Sequence, residues 1–177
     1  ANTKAQNYAI TYQPGQLTVK DRNEKYRLTV EANSGSKVYD GTALKVEGLK
    51  QLIFTVNEQT FTVSGLTAEK NATNVSESGA VAVRGTAIVK DAAGNDVTAQ
   101  FDVQTVPGTL TISQRPVTFT GETATKVYNG EAQSITAITQ SGLVEGHTLA
   151  DMTYAATGTD AGEYPGAFKD EAKIMNG

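Results

Sequence analysis

Phe101-Asp102-Val103-Gln104-Thr105-Val106-Pro107-Gly108-Thr109-Leu110-Thr111-Ile112 is the stretch from which the fold of this chain is read. Bulky and polar residues alternate, which turns one face of a strand inward. Pro107 has no N–H to give to a ladder, so the strand must break or bulge there, or lie at an edge. The phrase also stands near the start of the chain, as Tyr8-Ala9-Ile10-Thr11-Tyr12-Gln13-Pro14-Gly15-Gln16-Leu17-Thr18-Val19, 93 positions earlier (Pro14 to Pro107). A second phrase repeats with it. Lys37-Val38-Tyr39-Asp40-Gly41 returns as Lys126-Val127-Tyr128-Asn129-Gly130, 89 positions later (Tyr39 to Tyr128). Self-similarity at a near-constant spacing is the mark of a tandem array.

The two phrases divide the chain. Residues 23–113 read as a complete central repeat, from a head strand at Tyr26 to the Pro-Gly tail. Residues 114–177 read as a second repeat that lacks its C-terminal strands. Residues 1–22 read as tail strands that complete a neighbouring repeat, or the 116–177 repeat of the same chain. The central repeat separates those last two pieces, and a connection of about five residues spans less than the roughly 30–40 Å of a small domain. Head-to-tail completion of a neighbour is therefore the expected arrangement.

Short strands bounded by Gly, Asn, Asp or Pro run through both repeats. In the central repeat they are expected at 27–32, 43–48, 52–56, 60–64, 79–90 and in the two halves of 101–112. In the second repeat they are expected at 117–121, 134–138, 152–158 and 167–175. The best helix candidate, 141–150, contains Gly142 and Gly146 and is expected to give a single turn at most. About seven strands in a repeat of this size predict an all-β fold of tandem immunoglobulin-like β-sandwiches, with β-grasp-like repeats as the alternative.

Composition sets the function classes. The chain has 177 residues, a net charge of −4 and no Cys or Trp. It shows no basic face for nucleic acid and no apolar run long enough to insert in a membrane. Absence of Cys fits either a cytosolic chain or a bacterial surface domain held by packing alone; the repeats favour the surface.

Tyr39-Asp40-Gly41 and Tyr128-Asn129-Gly130 are turn signals, since Asp-Gly and Asn-Gly supply the positive φ that tight turns need. The Tyr of each is expected to pack its ring while its hydroxyl stays wet. Asp160, Gly162 and Tyr164 form an Asp-x-Gly-x-Tyr corner, in which the Tyr hydroxyl pins a neighbouring loop. Tyr8, Ile10, Tyr12, Pro14 and Leu17 are the tail-strand positions of the front copy, and Phe101, Val103, Pro107 and Leu110 those of the central one.

Little chemistry is on offer. No cofactor is expected. Asp91, Asn95 and Asp96 make an oxygen-rich loop that is the one Ca²⁺ candidate, without the carboxylate spacing of an EF-hand. His147 is the only His and stands in an expected exposed turn, with no nucleophile placed beside it by any motif. Lys37 and Lys126, with Asn2 and Asn95, are the candidates for a spontaneous isopeptide cross-link, although their polar flanks do not suggest the depressed Lys pKa that this chemistry needs. No constellation supports an enzyme.

Four phrases, Lys37–Leu44, Phe101–Ile112, Ser141–Leu149 and Gly158–Tyr164, taken in order, resemble the YDG/MBG-type tandem repeats of large bacterial surface proteins. The central repeat departs from that pattern at 49–58, which is longer and more apolar. The resemblance implies a non-enzymatic structural unit of an extracellular fibre, stalk or adhesin on the bacterial cell surface. The partners it implies are neighbouring repeats or identical chains joined head to tail, with strand complementation as the joining device. The alternative is a binding module that takes a host glycan or matrix protein through exposed loops, which an exposed cluster of Tyr128, Tyr154 and Tyr164 would favour.

Overall fold

The computed structural model describes residues 9, 11–19 and 24–175. Asn2, Tyr8 and Ile10, and with them most of the expected tail segment 1–22, lie outside the described residues. The fold is all-β. The strands are β1 (Tyr26–Glu31), β2 (Gly35–Val38), β3 (Leu44–Glu47), β4 (Ile53–Val56), β5 (Gln59–Ala72), β6 (Gly79–Val81), β7 (Val83–Asp91), β8 (Phe101–Val106) and β9 (Gly108–Ser113), followed by β10 (Thr118–Gly121), β11 (Gln133–Ile135), β12 (Ile138–Ser141), β13 (Thr148–Ala150), β14 (Thr153–Gly158), β15 (Ala167–Lys169) and β16 (Lys173–Met175).

The central repeat packs two β layers in a sandwich-like arrangement. One layer joins the head and the tail of the repeat: β1 runs parallel to β8, and β9 lies between β2, to which it is parallel, and β6, to which it is antiparallel. The other layer is built on β5, with β3 and β4 along one side and β7 along the other. Between the layers lie two apolar clusters. Ala32, Val46, Ala68, Ala72, Val81, Leu110 and Ile112 form one. Leu28, Val30, Phe61, Val63, Val89 and Phe101 form the other, with Phe101 against Phe61 at 4.8 Å between ring centroids. The inward side chains of β9 alternate with polar ones, as expected from its sequence, and Leu110 and Ile112 are almost wholly buried. Pro107 falls between β8 and β9, so its missing N–H interrupts no pairing.

Three expectations are corrected. The strand read as 60–64 continues to Ala72, because a bulge between Ser64 and Leu66 carries it past Gly65. The strand read as 79–90 divides after Val81, where the chain passes from one layer to the other. Gly35–Val38, which shows no strong alternation, becomes a strand because β9 pairs with it. At 141–150, where a single turn at most was expected, there is a turn followed by β13.

The second repeat follows the plan of the central one. The bridge Ala32↔Leu49 has its counterpart in Gly121↔Ile138, and the β3–β5 pairing Leu44↔Ala72 in the β11–β14 pairing Gln133↔Gly158. The long β5–β7 hairpin returns in two pieces, β13 with β16 and β14 with β15. Among the described residues nothing stands in the second repeat where β8 and β9 stand in the central one. Its head strand β10 pairs only with β12, and 122–129 form no strand.

Candidate functional site

Two features stand out: a joint between the repeats and an open groove in the second one. The joint is local in origin. Asp40 accepts at Oδ1 from Lys37 Nζ at 2.6 Å and from the Thr42 N–H at 2.9 Å, closing the turn that Gly41 completes with φ +78°. These donors, the Lys37 ammonium first, hold the Asp40 carboxyl well below the usual carboxylate range. The turn sets Tyr39 at the end of the central repeat, where its N–H donates to Ser113 O at 2.9 Å. Its half-buried ring reaches across to His147 of the second repeat, 6.0 Å away. Arg115 Nε donates to the Gly142 carbonyl. His147, expected in a bland exposed turn, is a half-buried part of this joint. Only its neighbours in space, which belong to the other repeat, reveal that.

The groove has a volume of about 940 Å³ and lies between 122–128 on one side and 158–166 on the other, with β11 and β14 beneath. Tracing the shared strand plan identifies it. The central positions Ala32, Val46, Ala68, Ala72 and Val81 correspond to Gly121, Ile135, Tyr154, Gly158 and Gly166. The groove is therefore the place of the first central cluster without Leu110 and Ile112. Glycine at three of those positions leaves room for tyrosine rings. The Tyr154 ring lies against Gly121 and Gly166, 5.0 Å from Phe168, and its hydroxyl donates to Glu122 O at 3.2 Å. The Tyr164 ring lies against Gly158, and its hydroxyl donates to Asp160 O at 3.2 Å. The bond stays within the Asp160-x-Gly162-x-Tyr164 corner, whereas the corner motif had suggested that it reaches a neighbouring loop. Tyr128 lines the same groove and is largely exposed, unlike Tyr39, so its ring does not pack as the turn motif suggested. The second turn forms as expected, with Gly130 at φ +79° and the Glu131 N–H on Asn129 Oδ1 at 3.0 Å.

The remaining candidates lie apart from the groove and from one another. Lys37 is engaged by Asp40, whereas the Asn95 side chain donates to Asp91 Oδ2 at 2.9 Å, in a turn at the opposite end of the central repeat. Lys126 donates to Ser134 O at 2.8 Å. The described candidates for a cross-link are thus not brought together. In the loop read for Ca²⁺, Asp91 accepts from the Ala93 and Asn95 N–H groups, and Asp96 accepts from Thr98. These donors lower both carboxyls, with the Asn95 side chain first for Asp91 and the Thr98 hydroxyl first for Asp96. Among the described residues no three His, Cys, Asp or Glu side chains are grouped to hold a metal ion.

Residues 11–19 form no strand and are exposed, with Tyr12, Leu17 and Val19 at 86%, 88% and 84%. Nothing lies within 4 Å of where a Cβ would stand on Gly15. The chain matches no protein-family model, and neither a curated protein nor a solved structure is significantly similar to it.

Proposed function

We propose that this chain is a non-enzymatic structural segment of a bacterial extracellular fibre, stalk or adhesin, built from YDG/MBG-type repeats that follow one another head to tail. One observation carries this reading. A single strand plan is used twice in succession, and the repeats are joined end to end through Ser113–Arg115 with Tyr39 packed on His147. A short connection braced by side chains on both sides resists bending, which suits a spacer. Antibody raised against residues 24–175 should label intact source bacteria, and protease applied outside the cells should remove the label. Labelling that appears only after lysis would overturn the reading.

A second reading draws on Tyr128, Tyr154 and Tyr164, which line one groove. Aromatic rings beside polar edges suit a sugar, and the groove would then take a host glycan. A glycan array probed with the full chain tests this, and binding must fall on Tyr128→Ala. The fibre reading is preferred because the groove coincides with the core position of the other repeat.

A further inference from the structure

The two repeats use one turn with a single chemical difference. In the central repeat Asp40 accepts the Thr42 N–H on Oδ1 at 2.9 Å, and in the second repeat Asn129 accepts the Glu131 N–H on Oδ1 at 3.0 Å. Gly41 and Gly130 follow them, with φ of +78° and +79°. A side-chain oxygen that accepts from the N–H two residues on folds its carbonyl carbon over the peptide link between them. At Asp40 that carbon belongs to a carboxylate, which repels a nucleophile. At Asn129 it belongs to a neutral carboxamide, and the nitrogen beside it is that of Gly130.

Four observations converge on this pair. Asn129 and Gly130 are both exposed, and glycine has no side chain to shield its nitrogen. The Gly130 N–H donates to no acceptor among the described residues. Asn129 Oδ1 takes a second donor, Gln133 Nε2 at 3.3 Å, so two N–H groups stand where negative charge develops as a nucleophile adds to the carbonyl carbon. The Asn129 amide nitrogen meets no acceptor among the described residues, so its departure breaks no hydrogen bond. The other described asparagines lack this combination. Asn33, Asn57, Asn74 and Asn95 are tied through their amide nitrogens to Glu47 O, the Tyr26 hydroxyl, Glu77 and Asp91. Asn71 lies within β5, and none of the five precedes a glycine.

We propose that Asn129 is a self-modifying site, deamidated in the folded chain by attack of the Gly130 main-chain nitrogen. The nitrogen gives its proton to hydroxide and bonds to Asn129 Cγ. The Cγ–Nδ2 bond breaks, and Nδ2 leaves as ammonia with a proton taken from water. The five-membered succinimide that remains is opened by a second water. Opening at Cγ restores the main chain with aspartate at 129. Opening at the main-chain carbonyl carbon leaves an isoaspartyl link. Aspartate reproduces the Asp40 turn, with Lys126 in the sequence position from which Lys37 pairs with Asp40 at 2.6 Å. The isoaspartyl link adds a methylene to the main chain and withdraws the acceptor from the Glu131 N–H.

The test holds the full chain in mildly alkaline buffer and follows intact mass and peptide maps. Asn129 should convert ahead of the other five described asparagines, at a rate proportional to hydroxide, and give both aspartyl and isoaspartyl peptides. The folded chain should react faster at Asn129 than the same chain in guanidinium, where the dipeptide persists and the turn does not. Gln133→Met removes one donor from the intermediate and should slow the folded reaction about threefold, with circular dichroism unchanged and no effect in guanidinium. The proposal is overturned by a folded rate at or below the denatured one, by aspartyl product alone, or by prior conversion of Asn33, Asn57, Asn71, Asn74 or Asn95. A folded Gln133→Met chain that reacts at the original rate overturns it as well.

Discussion

Leu110 and Leu17 hold the same place in the same phrase, and what surrounds them differs. Leu110 is fully buried between two layers, and Leu17 is 88% exposed. Leu110→Ala should cost about 2–5 kcal/mol, the transfer term plus a cavity in a packed core. Leu17→Ala should leave the unfolding free energy of dilute protein within about 0.5 kcal/mol. Urea titrations of the two variants check the pair, and equal costs would mean that the front copy already sits in a core. Exposed carboxylates set a different dependence. Glu77 accepts from the Thr73 and Asn74 N–H groups, and those bonds, Asn74 first, lower its pKa; Asp40, Asp91 and Asp96 are lowered by their own donors. Folded values below unfolded ones stabilise the protein above the ordinary carboxylate range, about 4, and that contribution is lost as pH falls through the folded values. The thermal midpoint should therefore be flat from neutral pH to about 5 and fall below about 4. Glu77→Gln should flatten the acid limb in a calorimetric pH series.

At the scale of the element, the β5–β7 hairpin is the longest pairing of the central repeat, and the second repeat carries it in two pieces. It crosses at Gly65 and Gly85, with φ of +78° and +102°, and a Cβ on either would overlap backbone of the facing strand. The second repeat makes the same crossing at Asp151 and Asp170, with φ of 65° and 67°. Asp is one of the few residues with a side chain that visits this region routinely. Its Lys173–Asp151 ion pair, 2.7 Å, lies beside the break. The crossing bends β5 so that one strand serves both clusters of the central core. Gly65→Val should cost more than about 2 kcal/mol, because a β-branched residue is strained at positive φ and lacks space. Guanidinium unfolding of that variant measures the cost; a loss under about 0.5 kcal/mol would mean that the crossing is dispensable.

Across the whole molecule the two repeats bury very different cores. The central repeat holds both clusters, whereas Ala156 is the only buried hydrophobic residue described in the second. Among the described residues, the groove of the second repeat holds no counterpart of Leu110 and Ile112. Hydrogen exchange on dilute protein should find β1–β9 protected to nearly the global stability, with 116–175 exchanging through lower-energy openings. Equal protection of both repeats in dilute protein would contradict that asymmetry.

The all-β class, the turns at Gly41 and Gly130 and the break at Pro107 were legible in the chain alone. Each rests on local chemistry: period-two alternation, positive φ at glycine and a missing N–H. The Tyr164 hydroxyl bonds within its own corner, to a partner four residues away, and not to a neighbouring loop. Other features depended on distant residues. Gly35–Val38 is a strand because β9 lies beside it, His147 belongs to a joint because Tyr39 faces it, and Tyr128 stays exposed where Tyr39 packs. The opening phrase shows the division most clearly. Its residue pattern specifies a strand that can fill a slot, in both copies. Only the tertiary structure decides that one copy is packed between β2 and β6 and the other stands in solvent, because burial depends on which surfaces the fold brings within reach.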